Sequence, residues 1–477
     1  MMNNDNQFDI CIIGAGSGGL SVAAGAAQLG LKTALIEKAE MGGDCLNTGC
    51  VPSKALLYAA KTAQGFRKSD AFGIKSQEPE INFSDVKDHV FKVIGKIEPN
   101  DSQERFEAFG IKVIREKANF IDEYSVQAGE QIITAKYFVI ATGSRASLPP
   151  IKGLEADKAF TNENIFNLRE KPDHLVIIGG GPIGIEMAQA HKRLGCKVSV
   201  LDMGSIAPKD DPQLVDILRT KLISEGIDLH EKITVKSINH EENNVTVTIE
   251  KDGKTLEIKG SHLLIAVGRR ANTDLDLDKA GIDYDRFGIK IDKRLRTSQK
   301  HIFAAGDVAG RPQFTHVAGY HAGIIIRNIC FKIPAKVNYK TLPWVTYTDP
   351  ELANVGLTEA MAIEKLGKEK IKAVTWGFDE NDRAQTQRQT EGMIKIIVTK
   401  KGKILGASII GANAGELISL WTLAINKGMK LGDITAMIMP YPTLSEISKR
   451  AAGSWFTPSL FSDRTRSIVA LLQKLPF

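Results

Sequence analysis

The chain has 477 residues, of which 43% are hydrophobic and 25% charged, with a formal net charge of +6. That length exceeds one ordinary core and implies roughly two to four domains in a globular protein. Lysine and arginine are spread along the whole chain, so the mild positive charge reads as solvated surface and excludes a dedicated nucleic-acid patch.

The chain opens on MMNNDNQFDICIIG, which has no basic region followed by an apolar core. The expectation is that there is no signal peptide, and with no apolar run near the roughly 18 residues of a membrane span, that the protein is cytoplasmic. Residues 8–19, FDICIIGAGSGG, then read as a short apolar strand, the turn Gly14-x-Gly16-x-x-Gly19 and the start of an alanine-rich helix. A second strand, KTALIE, ends at Glu37.

Next comes GGDCLNTGCVPSKAL, residues 42–56, with Cys45 and Cys50 five apart and Lys54 four further on. The chain has only five cysteines, too few and too scattered for a disulfide scaffold, and Cys11, Cys196 and Cys330 read as small core residues.

Further along, LVIIGGGPIG (175–184) repeats the first device: an apolar strand, then Gly179-x-Gly181-x-x-Gly184, then a helix pattern and the strand KVSVLD ending at Asp202. Glu37 follows Gly14 by 23 residues, and Asp202 follows Gly179 by 23. The spacing has a physical reason. The first glycine makes the tight turn, and the second lets backbone approach a pyrophosphate. The third lets helix and strand pack closely, and the helix N-terminus faces the phosphates. The acidic residue accepts hydrogen bonds from a ribose hydroxyl. Two such units in register predict two bound dinucleotides. A carboxylate at Asp202 pairs with a free 2′-hydroxyl and repels a 2′-phosphate, which favours NADH, while Lys209 seven residues on leaves NADPH open.

Between two nucleotide sites the Cys45/Cys50 pair gains a meaning. A zinc site would need two further ligands at sensible spacing, and none accompanies the pair, so no metal site is predicted. In a reducing cytosol a disulfide is usually catalytic, and the pair reads as redox-active.

GGDCLNTGCVPSKAL resembles the redox motif of the pyridine nucleotide–disulfide oxidoreductases, the family of dihydrolipoamide dehydrogenase, glutathione reductase and mercuric reductase. The resemblance covers nearly the whole chain. IATGSRASLP (140–149) resembles the junction of the two nucleotide domains, AVGRRAN (266–272) the return from the NAD domain, HIFAAGDV (301–308) the second flavin motif, and PWVTYTDPELANVG (343–356) the entry to the dimerisation domain. It implies an α/β fold with two Rossmann-like dinucleotide-binding domains and a C-terminal α+β dimerisation domain. The expected division is an FAD domain of residues 1–150 and 271–342, an NAD(H) domain of 151–270 inserted in it, and an interface domain of 343–477.

The same resemblance implies FAD bound by Gly14, Gly16, Gly19, Glu37, Lys54, Thr142, Gly143, Ser144 and Asp307, and NAD(H) bound by Gly179, Gly181, Gly184, Asp202 and Gly268. Cys45 would meet the substrate, Cys50 would lie against the flavin as the charge-transfer thiolate, and Lys54 would sit near the flavin paired with Glu186. Electrons would pass from NADH through FAD to the Cys45–Cys50 disulfide and on to an acceptor. In a homodimer, Tyr441 and Glu446 of one subunit would complete the site of the other.

The chain departs from the disulfide-reducing members at PYPTLSE (440–446). They carry a histidine where this chain has Tyr441, and its last histidine is His321. A phenol with a pKa near 10 is a poor base at pH 7, and losing a general base costs about 10²–10⁴-fold. Tyrosine at this place instead resembles the mercuric-reductase-like branch, which includes a copper-reducing enzyme. That branch's mercury enzymes end in a cysteine pair, and here no cysteine follows Cys330. The leading expectation is therefore an NADH oxidoreductase acting on a metal ion, a quinone or another small acceptor. The alternatives are a dihydrolipoamide dehydrogenase-like reductase with an unusual base, and a slow redox-sensing flavoprotein.

Three lesser features complete the reading. ENDRAQTQ (380–387) is expected as a polar interface loop. His316 and His321 are expected on a helix at the flavin's edge, in packing or hydrogen-bonding roles. The tail SDRTRSIVALLQKLPF is amphipathic and is expected to pack on its own subunit or the partner rather than on a membrane.

Overall fold

The computed structural model describes residues 6–242 and 244–475. The first five residues of the N-terminal stretch lie outside the described residues.

The first sheet has seven strands. Gln7–Ile13 lies between Thr33–Ile36 and Gln131–Ile140, parallel to both. Ile10, Cys11, Ile12 and Ile13 of this strand are all buried, as expected for a parallel strand covered on both faces. Ser125–Ala128 and Ala118–Asp122 extend the sheet as an antiparallel edge. The strand Ile302–Ala304 then pairs with Phe138–Ile140, so the chain comes back to this sheet after building a second one.

The second unit has four parallel strands in the order Asp228–His230, Lys197–Leu201, His174–Ile178, His262–Ile265. A three-stranded antiparallel sheet stands beside them, and its central strand Val245–Lys251 alternates buried and half-exposed residues, as a one-sided sheet does. The last sheet has five antiparallel strands between residues 343 and 411, in the order Pro343–Thr346, Glu351–Gly356, Ile404–Gly411, Met393–Thr399, Ile371–Gly377. The helix Ala414–Asn426 covers it, burying Ile418 and Trp421 in a shared core.

One expectation is corrected. Residues 382–387 form a short helix, because Asn381 caps it by accepting a hydrogen bond from the Ala384 N–H. The tail helix Asp463–Leu472 buries none of its residues within the single subunit, with Ile468 47% and Leu471 65% exposed, which leaves the partner as the expected surface for its apolar side. No helix among the described residues is long and apolar enough to cross a membrane.

Candidate active site

Each glycine turn follows its strand directly and opens a helix, Ser17–Gln28 in the first unit and Pro182–Arg193 in the second. Gly14 and Gly179 have φ of +106° and +116°. A Cβ at Gly19 would stand 1.8 Å from the Gly14 carbonyl oxygen, and one at Gly184 would stand 1.9 Å from that of Gly179. Helix and strand touch so closely that only glycine fits there. The middle glycines are open. A Cβ at Gly16 would meet only the Gly43 Cα at 4.0 Å, and one at Gly181 would meet nothing within 4 Å.

The acids sit at the strand ends. Glu37 accepts the Ala15 N–H at 2.6 Å, and Asp202 accepts the Gly180 N–H at 2.5 Å and the Gly204 N–H at 2.6 Å.

A cavity of about 1560 Å³ opens from the first turn. Gly14, Gly16, Glu37, Thr142, Gly143, Ser144 and Asp307 line one part of it, and Cys45, Cys50, Lys54 and Glu186 another. Gly268 and Lys209 also line it, whereas Gly179, Gly181, Gly184 and Asp202 do not. Its volume exceeds the roughly 300–1,000 Å³ of drug-sized sites. With an open second glycine and a carboxylate at the strand end, these residues fit a dinucleotide.

Asp307 is held by the Ser144 hydroxyl at 2.6 Å, and burial raises its pKa despite that bond and Arg269. Arg269 bonds the Ser144 hydroxyl at 2.7 Å and lies 3.1 Å from Asp44. Thr142 donates to the Asn272 carbonyl at 2.7 Å, clasping the two crossings between the nucleotide units.

The thiols come next. Cys45 is on the short helix Gly43–Asn47, and Cys50 is the first residue of the helix Cys50–Arg67. The Thr315 hydroxyl lies 3.4 Å from the Cys50 sulfur and is itself the first residue of the helix Thr315–Ile329. Two helix N-termini therefore converge on the thiols, where their partial positive charge favours a thiolate. Both thiols are free, which is the dithiol form of the pair.

The proton is unevenly shared. A hydrogen bond from Cys45, helped by Thr315 and the Lys54 charge, outweighs burial and lowers Cys50 to about 6. The hydrogen bond to Cys50 and burial raise Cys45 well above the ordinary thiol range. The pair's shared proton is thus held preferentially by Cys45.

Lys54 donates to Glu186 Oε2 at 2.8 Å and stands 4.6 Å over the Tyr347 ring. Burial works against its charge, but the Glu186 carboxylate prevails and raises the Lys54 pKa. It stays an ammonium beside the thiols.

Tyr441 and Glu446 lie apart from the thiols of their own subunit, since neither lines the cavity. Tyr441 is 68% exposed and donates its hydroxyl to Asp382 at 2.9 Å. That bond raises the phenol's pKa further. His321 is buried, accepts the Gly306 N–H at 3.1 Å and contacts the Tyr339 hydroxyl at 2.6 Å, with its pKa pushed down to about 4 by burial. His316 contacts the Pro343 carbonyl at 3.0 Å. Both serve in hydrogen bonding.

Sequence reasoning missed Thr315, Arg269 and Asp44. Thr315 is 265 positions from Cys50, so no local spacing could reveal it. Arg269 stood inside AVGRRAN as one of two adjacent arginines, and nothing local told it from Arg270.

The pattern described as pyridine nucleotide-disulphide oxidoreductase matches residues 8–322, and its dimerisation domain matches 342–452. The chain belongs to this family. It is 37% identical to the dihydrolipoyl dehydrogenase of Bacillus subtilis (strain 168), over 94% of this chain and 96% of that one. It is 33% identical to a mercuric reductase of Staphylococcus aureus, over 94% of this chain and 83% of the relative. Among solved structures, the Cu(II) complex of the HOCl-induced flavoprotein disulfide reductase RclA from Escherichia coli superposes with a TM-score of 0.85 at 29% identity, covering 94% of this chain and 99% of that one. This member of the family is therefore an FAD-dependent oxidoreductase with NAD(P)H as electron donor. The match to the dimerisation domain supports a homodimer.

Proposed function

We propose that the enzyme passes electrons from NADH to the Cys45–Cys50 pair and on to a metal ion, a quinone or another small acceptor. Bound FAD supplies the two-electron link between nicotinamide and thiols. Gly14, Gly16, Gly19, Glu37, Thr142, Gly143, Ser144 and Asp307 hold it, with Lys54 at its reactive end. Gly179, Gly181, Gly184, Asp202 and Gly268 receive the nicotinamide nucleotide. Asp202 favours NADH, because a 2′-phosphate would meet its carboxylate.

The protein's own groups manage charge and proton. The two electrons break the Cys45–Cys50 bond. Cys50 is left as a thiolate under Lys54 and the helix N-termini, and Cys45 takes the one proton. Cys45, on its short helix, is the sulfur that meets the acceptor. In a reducing cytoplasm this disulfide is catalytic rather than structural.

The observation that carries the acceptor assignment is Tyr441. Its hydroxyl is committed to Asp382, which raises its pKa and leaves even less phenolate at pH 7 than a free phenol has. It has nothing to offer a thiol proton at pH 7. Asp382 and Glu446 set two carboxylates near it, with Arg450 also close, and the two carboxylates suit a cation. Tyr441 and Glu446 of one subunit complete the thiol site of the other, which accounts for their exposure and their distance from their own cavity. The RclA structure holding Cu(II) supports a metal acceptor. The 37% identity to a dihydrolipoyl dehydrogenase favours a second reading, a disulfide reductase with another base.

Steady-state NADH oxidation by FAD-loaded enzyme separates the two. Cu(II), Hg(II) with excess thiol, a soluble quinone, lipoamide and oxidised glutathione are supplied in parallel. Turnover with a metal or quinone should exceed that with the disulfides by about 10²-fold or more. Fast lipoamide or glutathione turnover would refute the proposal.

A further inference from the structure

The helix Pro182–Arg193 carries a row of polar residues of which only Glu186, the partner of Lys54, has a part in the electron path. Glu186, Gln189 and Arg193 stand three and four positions apart, so they share one face. All three are buried, at 4%, 1% and 3% exposure. Polar side chains so deep are rarely kept without a full set of partners.

Their partners converge on one segment of the C-terminal domain. Glu186 has two engaged oxygens: Oε2 accepts from Lys54, and Oε1 accepts the Tyr347 N–H at 2.8 Å. Gln189 closes a two-bond ring on the Asp349 backbone, accepting its N–H at 2.7 Å and donating to its carbonyl at 2.9 Å. Arg193 donates to the Asp349 carboxylate at 2.9 Å and to its carbonyl at 3.3 Å, and it is itself gripped by Glu225 at 2.6 and 2.8 Å. Tyr347 and Asp349 lie in the turn between the strands Pro343–Thr346 and Glu351–Gly356. Lys61, seven residues after Lys54 on the thiol helix, approaches Asp349 from the other side at 3.7 Å. Residues of the second nucleotide unit thus clamp the turn that supplies the Tyr347 N–H.

We propose that Arg193 and Gln189 are positioning residues for the redox centre. By pinning Asp349 they hold the Tyr347 N–H on Glu186, and so hold the Glu186 carboxylate on Lys54 beside Cys50. This rests on the reading that the Lys54–Glu186 pair tunes the thiols. Without the clamp the turn is free to withdraw, and Glu186 loses the donor on its second oxygen. A buried carboxylate with a bare oxygen turns or takes a proton, and Lys54 then loses its fixed place. The groups that face Cys50 include Cys45, Lys54, the Asp44 carboxylate, the Thr315 hydroxyl and the Tyr347 phenol. The clamp itself is faced by Lys61, Lys68 and Lys221.

The test is the pH profile of thiol alkylation in FAD-loaded enzyme, reduced and desalted, without nicotinamide nucleotide. Iodoacetamide labelling of the peptide bearing Cys45 and Cys50 is followed by mass spectrometry from about pH 5 to about pH 9. Glu186→Gln should move the profile up by about one unit, as loss of an ordered opposite charge does. Gln189→Leu and Arg193→Met should move it the same way by about half a unit, with Arg193→Lys lying nearer wild type. Ser21→Ala, outside the clamp, should leave it in place. If Arg193→Met does not fold, Gln189→Leu carries the test. A profile moved by Glu186→Gln but unmoved by Gln189→Leu, even with a lowered Tm, would overturn the proposal and leave the row as packing alone. A profile unmoved by Glu186→Gln as well would overturn the Lys54–Glu186 reading and the proposal with it.

Discussion

The two glycine-turn units are near copies in backbone and differ in what their helices carry. The first glycines have φ values 10° apart, and the hypothetical Cβ contacts of the third glycines differ by 0.1 Å. In both, the strand-end carboxylate accepts the N–H of the residue after the first glycine. Yet the helix Ser17–Gln28 buries only glycine and aliphatic residues, while Pro182–Arg193 buries Glu186, Gln189 and Arg193. The nucleotide device is common to both units, and the second helix has a further task at the thiols.

The strongest way to break the comparison is to fill the third glycine. Gly19→Ala and Gly184→Ala each force a methyl into a carbonyl oxygen and should cost on the order of 3 kcal/mol or more. The first should lose FAD. The second, where it folds, should keep FAD but lose its reduction by NADH. Flavin absorbance before and after NADH reads both.

Next in size is the thiol pair, which follows only the first unit. Cys45→Ser should leave NADH able to bleach the flavin while acceptor turnover falls by about 10²-fold or more. In wild type, alkylation of Cys50 should stay fast down to a pH of about 6 and fall below it, because only the thiolate reacts and the low pKa keeps it deprotonated. An ordinary thiol would lose reactivity already below about pH 8.5.

A smaller contrast is sharper. Ser21 stands seven residues after Gly14, as Glu186 does after Gly179. Ser21→Ala should leave the Cys50 profile unchanged where Glu186→Gln moves it by about one unit, a factor of about ten in thiolate at a pH below the pKa. The smallest effect belongs to the open glycine. Gly181→Ala adds a methyl to empty space, so Tm should hold while the KM for NADH rises roughly 10-fold.

The twinned units were legible in the sequence because their physics is local. Turn, helix and acid lie within 24 residues counted from the first glycine, the strand comes directly before them, and each residue type answers a constraint of its own backbone. The resemblance of CLNTGC and the flavin motif named the Cys45, Cys50, Lys54 and Asp307 positions, and the structure gathers them around one cavity. Thr315, Arg269 and the Gln189–Arg193–Asp349 clamp were illegible, because each depends on contacts between segments more than a hundred residues apart. Residues 382–387 misled because Asn381 reads equally as a turn residue or a cap. The tail's amphipathic pattern stated only that one face is apolar, not what meets it.

The central claim is that electrons from NADH reach the Cys45–Cys50 pair. Aerobically purified FAD-loaded enzyme is treated with NADH without acceptor, alkylated with iodoacetamide and digested, and labelling of each cysteine is measured against a sample without NADH. The account predicts NADH-dependent labelling of Cys45 and Cys50, with buried Cys11 and Cys196 unchanged. Labelling of the pair that is the same with and without NADH, while the flavin bleaches, would contradict it.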